Sequence, residues 1–509
     1  MVSCPHALAS QAGAAALRDG GSAVDAALTA ATTLAVIYPH MCGLGGDAFW
    51  LIYDAGSRKV SYLDGGGRAA ASATLDRFHQ KEIPFRGLVP ATLTTPGAVA
   101  SFCEAHARFG KLPLAQCLAP AIGYARDGYP VSERLGRWIA DTTADLAMDA
   151  ASAALFRAGN ARLSNAALAR TLENIAANDR AGFYEGEVAR ELAKLGGFFT
   201  ERDLAAQRAY WGEPISGSYR GVTIYETPPP TQGFTVLQML NLIEPLELGP
   251  FQGPDHVHLL VQAKQLAYYD RDRWLGDPRF TSVPLDRLLS KKYANERRAL
   301  VDPARTLPWD KVPSHGSLSG DTVNVAAVDA AGNAASLIFS LYGVFGACVT
   351  SPATGVVLQN RAAYFSLDPS HPNRLEPGKV PLHTLIASFA FRNDRLWAVL
   401  GCMGADGQPQ IHLQTYVAMI DYGQSIQQAL AGPRWLSGRF ALGEPRDTLH
   451  IEARYPRATI DELERRGHMV DRWGDWNELA GHANGITVDA DGTLAGGYDP
   501  RSDGAALSG

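Results

Sequence analysis

The sequence has no run of about 18 uninterrupted apolar residues, so no membrane-spanning helix and no membrane partner are expected. It has no basic excess. Its 46 Lys and Arg stand against 52 Asp and Glu, a net charge of −6, which argues against a nucleic-acid surface. Cysteine is sparse: Cys4, Cys42, Cys103, Cys117, Cys348 and Cys402 are scattered without a CxxC pair. That excludes a zinc cluster or dithiol redox centre and leaves free thiols of a reducing compartment as the expectation. No HExxH and no GxSxG occurs, which removes the common zinc-protease motif and the α/β-hydrolase elbow. Internal repeats and low-complexity tracts are absent too. What remains is an ordinary globular composition, 46% hydrophobic over 509 residues. Such a chain builds one large or two to three average domains and needs neither disulfide nor metal for its core. The opening MVSCPHALASQAG has neither a basic n-region nor an apolar h-region. A cytoplasmic location is therefore the expectation, or a periplasmic one if a signal has been removed.

Local patterns divide the chain. Ser22 with Asp25 three residues on has the form of a capping box ahead of a small-residue run to Ile37, predicting a closely packed helix. Tyr38-Pro39 ends it. Residues 48–53 read as a strand, with 59–63 returning as its hairpin partner. From about 97 to 300 the apolar spacing is mostly helical. A strand at 221–225 and the loop Pro228-Pro229-Pro230 interrupt it. Residues 303–320 read as a flexible linker. Strands then dominate, at 323–328, 334–341, 355–358, 385–391 and 396–401, with helices at 410–421 and 457–466 and a hairpin over 485–498.

Two apparent motifs fail on context. Gly43-x-Gly45-x-x-Ala48 follows a helix and precedes a strand, the reverse of a dinucleotide fingerprint, so a tight glycine turn is expected. His256 and His258 open a helical stretch, where i and i+2 do not face together; solvated or capping histidines are expected there, not metal ligands.

The Asp321-Thr322 junction is where a loop delivers a Thr to the start of a strand. A Thr opening a strand is commonplace, and spacing alone favours that reading. A cut before Thr322 would instead free an α-amine able to act as general base for its hydroxyl. The chain resembles the γ-glutamyltranspeptidase family of N-terminal-nucleophile hydrolases, on segments in the same order. They are Gly20-Gly21-Ser22-Ala23-Val24-Asp25-Ala26-Ala27, Gly43-Leu44-Gly45-Gly46, Pro96-Gly97-Ala98-Val99-Ala100, Pro228-Pro229-Pro230 with Gly233, Tyr269-Asp270-Arg271, Leu275-Gly276-Asp277-Pro278, Asp321 to Asp329, and Asp499-Pro500-Arg501. The resemblance implies an α+β fold, the αββα sandwich of N-terminal-nucleophile hydrolases, built from two autoprocessed subunits. These would be a helix-rich large subunit, 1–321, and a small subunit, 322–509, cut between Asp321 and Thr322. A homo-oligomer of such heterodimers is left open. It further implies that Thr322 attacks an amide carbonyl, that Ser340 is the second hydroxyl assisting its amine, and that Gly404-Ala405 supplies oxyanion-hole amides. No metal and no organic cofactor is implied.

The substrate grip departs from the family. Where glutamyl enzymes place an Arg two residues after an Asp, Leu63-Asp64-Gly65-Gly66 places Gly66, with Arg68 two positions further on. Tyr364 aligns with the Asp that holds the glutamyl amino group, Tyr342 with an Asn, and His383-Thr384 with a Ser-Ser pair. Loss of the matched charges costs several kcal/mol for a buried zwitterion, so glutathione is not the expected substrate. Arg68 and His383 become candidate anion contacts, with a surface ion pair and a satisfied supporting histidine as their respective alternatives. Tyr342, Tyr364 and Thr384 become candidate pocket walls. The branch lacking the glutamyl grip includes oxamate amidohydrolase of purine breakdown, and oxamate is the lead small-molecule amide. A γ-glutamyl hydrolase or transpeptidase, a cephalosporin-acylase-like enzyme and a catalytically silent scaffold are the alternatives.

Overall fold

The computed structural model describes residues 1–79, 82–307, 321–439 and 448–509. Most of the expected linker at 303–320 lies outside the described residues. Two antiparallel sheets form the centre. The first has seven strands in the order Ala505–Leu507, Val2–Cys4, Asp321–Val328, Ala334–Tyr342, Asp47–Asp54, Lys59–Gly65 and Tyr210–Gly212. The second has six, in the order Leu494–Tyr498, Ala483–Val488, Arg395–Cys402, Ala387–Arg392, Val222–Glu226 and Ile215–Tyr219.

Side chains alternate across a strand, so each sheet presents two apolar faces. Phe49, Leu51 and Tyr53 pack with Phe389, Val399 and Ile486 between the sheets. Their neighbours Trp50 and Ile52 join Val323, Val325 and Leu337 in the cluster that includes Ala23–Ile37. On the far side, Ala390, Ala398 and Leu400 pack against the helices Phe234–Ile243, Pro254–Trp274 and Gln408–Ile420. Burial on both faces explains why the central strands read as continuous apolar runs. The result is the expected αββα sandwich.

The capping box forms as predicted: Ser22 accepts from the Asp25 amide while Asp25 accepts from the Ser22 amide. Two expectations are corrected. Residues 355–358 are not a strand; only isolated bridges form there, Gly45 with Leu358 and Thr350 with Val357. His256 and His258 are neither solvated nor caps; both are buried, and His258 Nδ1 lies 2.7 Å from His468 Nε2. Helix Pro254–Trp274 is buried continuously from His256 to Tyr268, so neither histidine meets solvent. All six cysteines are free and buried. Among the described residues, no helix is long and apolar enough to cross a membrane.

Candidate active site

The site lies at the end of the first sheet where strand Asp321–Val328 begins. Its partner Ala334–Tyr342 carries an irregularity between Phe339 and Tyr342. Bulges collect next to active sites, and Ser340 lies within this one, still paired with Asp47 on its other side. The Ser340 hydroxyl donates to the Asp321 carbonyl at 2.5 Å. It accepts from Thr322 Oγ1 at 3.2 Å and from the Tyr342 amide at 2.7 Å. Thr322 and Ser340 are buried. Behind them the Gly43–Gly46 turn presses on the strand: a Cβ on Gly46 would stand 2.1 Å from the Ser340 carbonyl oxygen. That close approach, not phosphate binding, is what the glycines serve.

Asp321 is 4% exposed, and among the described residues its Oδ2 has no hydrogen-bond partner. Burial pushes its carboxyl up to about 8, with Arg86 opposing only in part. An unfolded Asp titrates near about 3.9, so between these values the folded chain binds the extra proton. Stability of the uncut chain should therefore fall as pH rises from about 4 to about 8. Thermal melts of the Thr322→Ala chain should show this decline, and adding Asp321→Asn should flatten it. An equal decline in both chains would assign the slope to other groups.

Gly404 and Ala405 follow strand Arg395–Cys402 with φ of +137° and +44°. The second is a left-handed conformation that costs a non-glycine residue about 1 kcal/mol or more and needs support from its surroundings. Gln232 Nε2 supplies it, donating to the Ala405 carbonyl at 3.0 Å and to the Thr384 carbonyl at 2.9 Å. Arg271, itself buried, donates to Gln232 Oε1 at 2.7 Å and pairs with Asp406 and Asp272, each at 2.9 Å. Among the described residues the Gly404 and Ala405 amides have no protein acceptor. Two fixed donors at a buried turn are what an oxyanion requires.

The expected substrate contacts separate. Tyr342 and Tyr364 meet, with ring centroids 4.7 Å apart. Tyr364, however, spends its hydroxyl on Asp406 Oδ1 at 3.0 Å. His383 is fully buried between two acceptors: Nε2 lies 2.8 Å from Asp47 Oδ2 and Nδ1 lies 2.7 Å from the Pro381 carbonyl. Its nitrogens are committed, and the pair ties Asp47 in place. Asp47 Oδ1 accepts from the Gly67 and Gly97 amides and from Gln359 Nε2. Arg68 lies on another surface, stacked 4.3 Å over the Tyr210 ring, half-exposed beside Arg279. Among the described residues it has no contact with Thr322 or Ser340.

The cation that does reach the site is Arg361, which sequence reading missed. It opens the short 3-10 turn Arg361–Tyr364 and is fully buried. Its Nη1 donates to Thr384 Oγ1 at 3.1 Å, and its Nη2 lies 3.4 Å from Ser340 Oγ. The guanidinium stacks 4.5 Å over the Tyr342 ring. Its position three residues before Tyr364 was the available signal.

Among the described residues one group carries metal-type ligands, Asp25, His106 and Cys117. Its atoms serve the fold: Asp25 closes the capping box and His106 Nε2 sits 2.8 Å from the Leu112 carbonyl.

Residues 9–509 match the family model described as gamma-glutamyltranspeptidase. The chain is 41% identical to the glutathione hydrolase-like YwrD proenzyme of Bacillus subtilis (strain 168), across 100% of this chain and 98% of that protein. It is 39% identical to the oxamate amidohydrolase proenzyme of Klebsiella pneumoniae, across 99% and 98%. The structure of a cephalosporin acylase from Bacillus halodurans superposes with a TM-score of 0.92 at 36% identity, covering 100% of this chain and 96% of that one. With its αββα sandwich and a threonine and serine hydroxyl at the opening of a central strand, the chain belongs to the gamma-glutamyltranspeptidase family of amide-bond hydrolases.

Proposed function

We propose that the chain is an autoprocessing amidohydrolase that cleaves itself between Asp321 and Thr322 and then hydrolyses a small carboxylated amide, with oxamate the lead substrate. The observation that carries this reading is the alignment of Thr322 Oγ1, Ser340 Oγ and the Asp321 carbonyl. Ser340 polarises that carbonyl, and the Thr322 hydroxyl is the adjacent nucleophile. Attack on the Asp321 carbonyl carbon breaks the peptide C–N bond, the hydroxyl proton passes to the departing Thr322 nitrogen, and an ester is left on Thr322 Oγ1. Water cleaves that ester, giving chains 1–321 and 322–509. The new α-amine of Thr322 then takes the hydroxyl proton as Oγ1 adds to a substrate amide. The Gly404 and Ala405 amides receive the developing oxyanion. The C–N bond breaks, the amine returns the proton to the leaving ammonia, and water releases the acid from the acyl-enzyme.

The match to an oxamate amidohydrolase proenzyme is compatible with a small anionic amide, and Gly66 and Tyr364 in place of the family's Arg and Asp support it over a glutamyl one. Ammonia release from oxamate and glutamine, assayed side by side on purified enzyme, tests this. Oxamate should be the better substrate by about 100-fold or more in kcat/KM, the scale of an unmatched charge at a buried site. Turnover of glutamine alone would replace this reading with a γ-glutamyl hydrolase.

A further inference from the structure

Arg361 is a wholly buried guanidinium with no carboxylate within ion-pair distance among the described residues, and its Nε has no hydrogen-bond partner. A buried charge is ordinarily paired. The carboxylate with the strongest field on it is Asp47, whose oxygens are taken by Gly67, Gly97, Gln359 and His383. Burial accordingly lowers the proton affinity of Arg361, and the Asp47 field compensates only in part. The guanidinium plane is fixed by the Tyr342 ring on one face and by Thr384 at one edge. Tyr342 itself holds a left-handed φ of +79°, the sort of strain that collects where a site is built.

We infer that Arg361 binds the substrate carboxylate, and that its position selects amides whose carboxylate is joined directly to the scissile carbonyl carbon or one carbon away. The inference rests on the reading of Thr322 as nucleophile. The spacing carries it. Nη2 stands one 3.4 Å contact from Ser340 Oγ, which stands 3.2 Å from Thr322 Oγ1. A carboxylate oxygen about 2.8 Å from Arg361 therefore belongs to the same small fragment as the carbon that Thr322 attacks. Oxamate meets that condition and malonamate stretches it. Succinamate and the glutamyl chain carry the anion past the guanidinium. The role expected of Arg68 from sequence passes to Arg361.

The test compares ammonia release from oxamate, malonamate, succinamate and the neutral analogue oxamide by wild type, Arg361→Gln and Arg361→Lys. Cleavage of each variant is checked on a denaturing gel. Wild type should prefer oxamate to oxamide by about 100-fold in kcat/KM, with activity falling along the acid series. Arg361→Gln should bring the oxamate-to-oxamide ratio within about tenfold, mainly through KM. Arg361→Lys should keep part of the preference, because a point charge replaces a planar fork. Oxalate should raise the Tm of wild type and not of Arg361→Gln, a readout that needs neither cleavage nor turnover.

An unchanged oxamate-to-oxamide ratio in cleaved Arg361→Gln would overturn the inference and leave the proposed reaction standing. So would an equal Tm rise in both proteins, or none in wild type. Conversely, an Arg361-dependent oxalate effect in an enzyme that ignores oxamate would keep the anion site and remove oxamate as its substrate.

Discussion

Thr322→Ala is expected to run as one chain of 509 residues on a denaturing gel and to release no ammonia from any amide. Its kcat loss should be about 10^6-fold, the scale for removing a nucleophile. The folded chain has little reason to notice the change otherwise. Among the described residues the Thr322 hydroxyl makes one side-chain hydrogen bond, the donation to Ser340 Oγ. Without it, Ser340 still donates to the Asp321 carbonyl and accepts from the Tyr342 amide. The scissile bond would stay polarised with nothing to attack it. Thr322→Ser keeps an attacking hydroxyl and should still be cut, more slowly because the lost methyl frees the side chain's χ1. Two fragments from the alanine variant would remove Thr322 from both proposed steps.

Arg271→Met should cost about 3–5 kcal/mol of stability, because it removes the guanidinium from between two buried carboxylates. Asp272 and Asp406 both lose their guanidinium partner. The catalytic cost should be larger than the stability change alone explains. Gln232 loses the donor to its Oε1, and Gln232 is what holds the Ala405 and Thr384 carbonyls. A wandering Gly404–Ala405 turn should lower kcat by about 10^2–10^3-fold, the cost of a lost oxyanion donor. Urea unfolding and steady-state kinetics separate the two effects. A destabilised variant with wild-type kcat would confine Arg271 to the fold.

The parts legible in the sequence are those whose cause is local. Ser22 and Asp25 cap one helix because three residues suffice to close the box. The hairpin of Asp47–Asp54 and Lys59–Gly65 follows from a run of aromatic and β-branched residues and a short turn. Thr322 and Ser340 sit on adjacent strands, and the family resemblance already placed them together. What stayed hidden depends on distant packing. Arg361 gains its meaning from Thr384 and from Tyr342, which no period connects. Arg68 is equivalent in charge, but it stacks on Tyr210. His256 and His258 carried no sign that Phe251, Tyr422 and His468 would close over them.

Val2–Cys4 is zipped between Ala505–Leu507 and Asp321–Val328, while Ala334–Tyr342 is flanked on its other side by Asp47–Asp54. Segments from either side of the Asp321-Thr322 bond are thus interleaved within one sheet. Cutting that bond would leave two polypeptides that cannot part without tearing main-chain ladders in the core. The intact chain can fold as a single molecule at any dilution. Its cut product, once melted, would have to find its other half by collision. Cleavage would make folding a one-way ratchet, with the native state protected by its unfolding barrier and no longer by an equilibrium it can revisit.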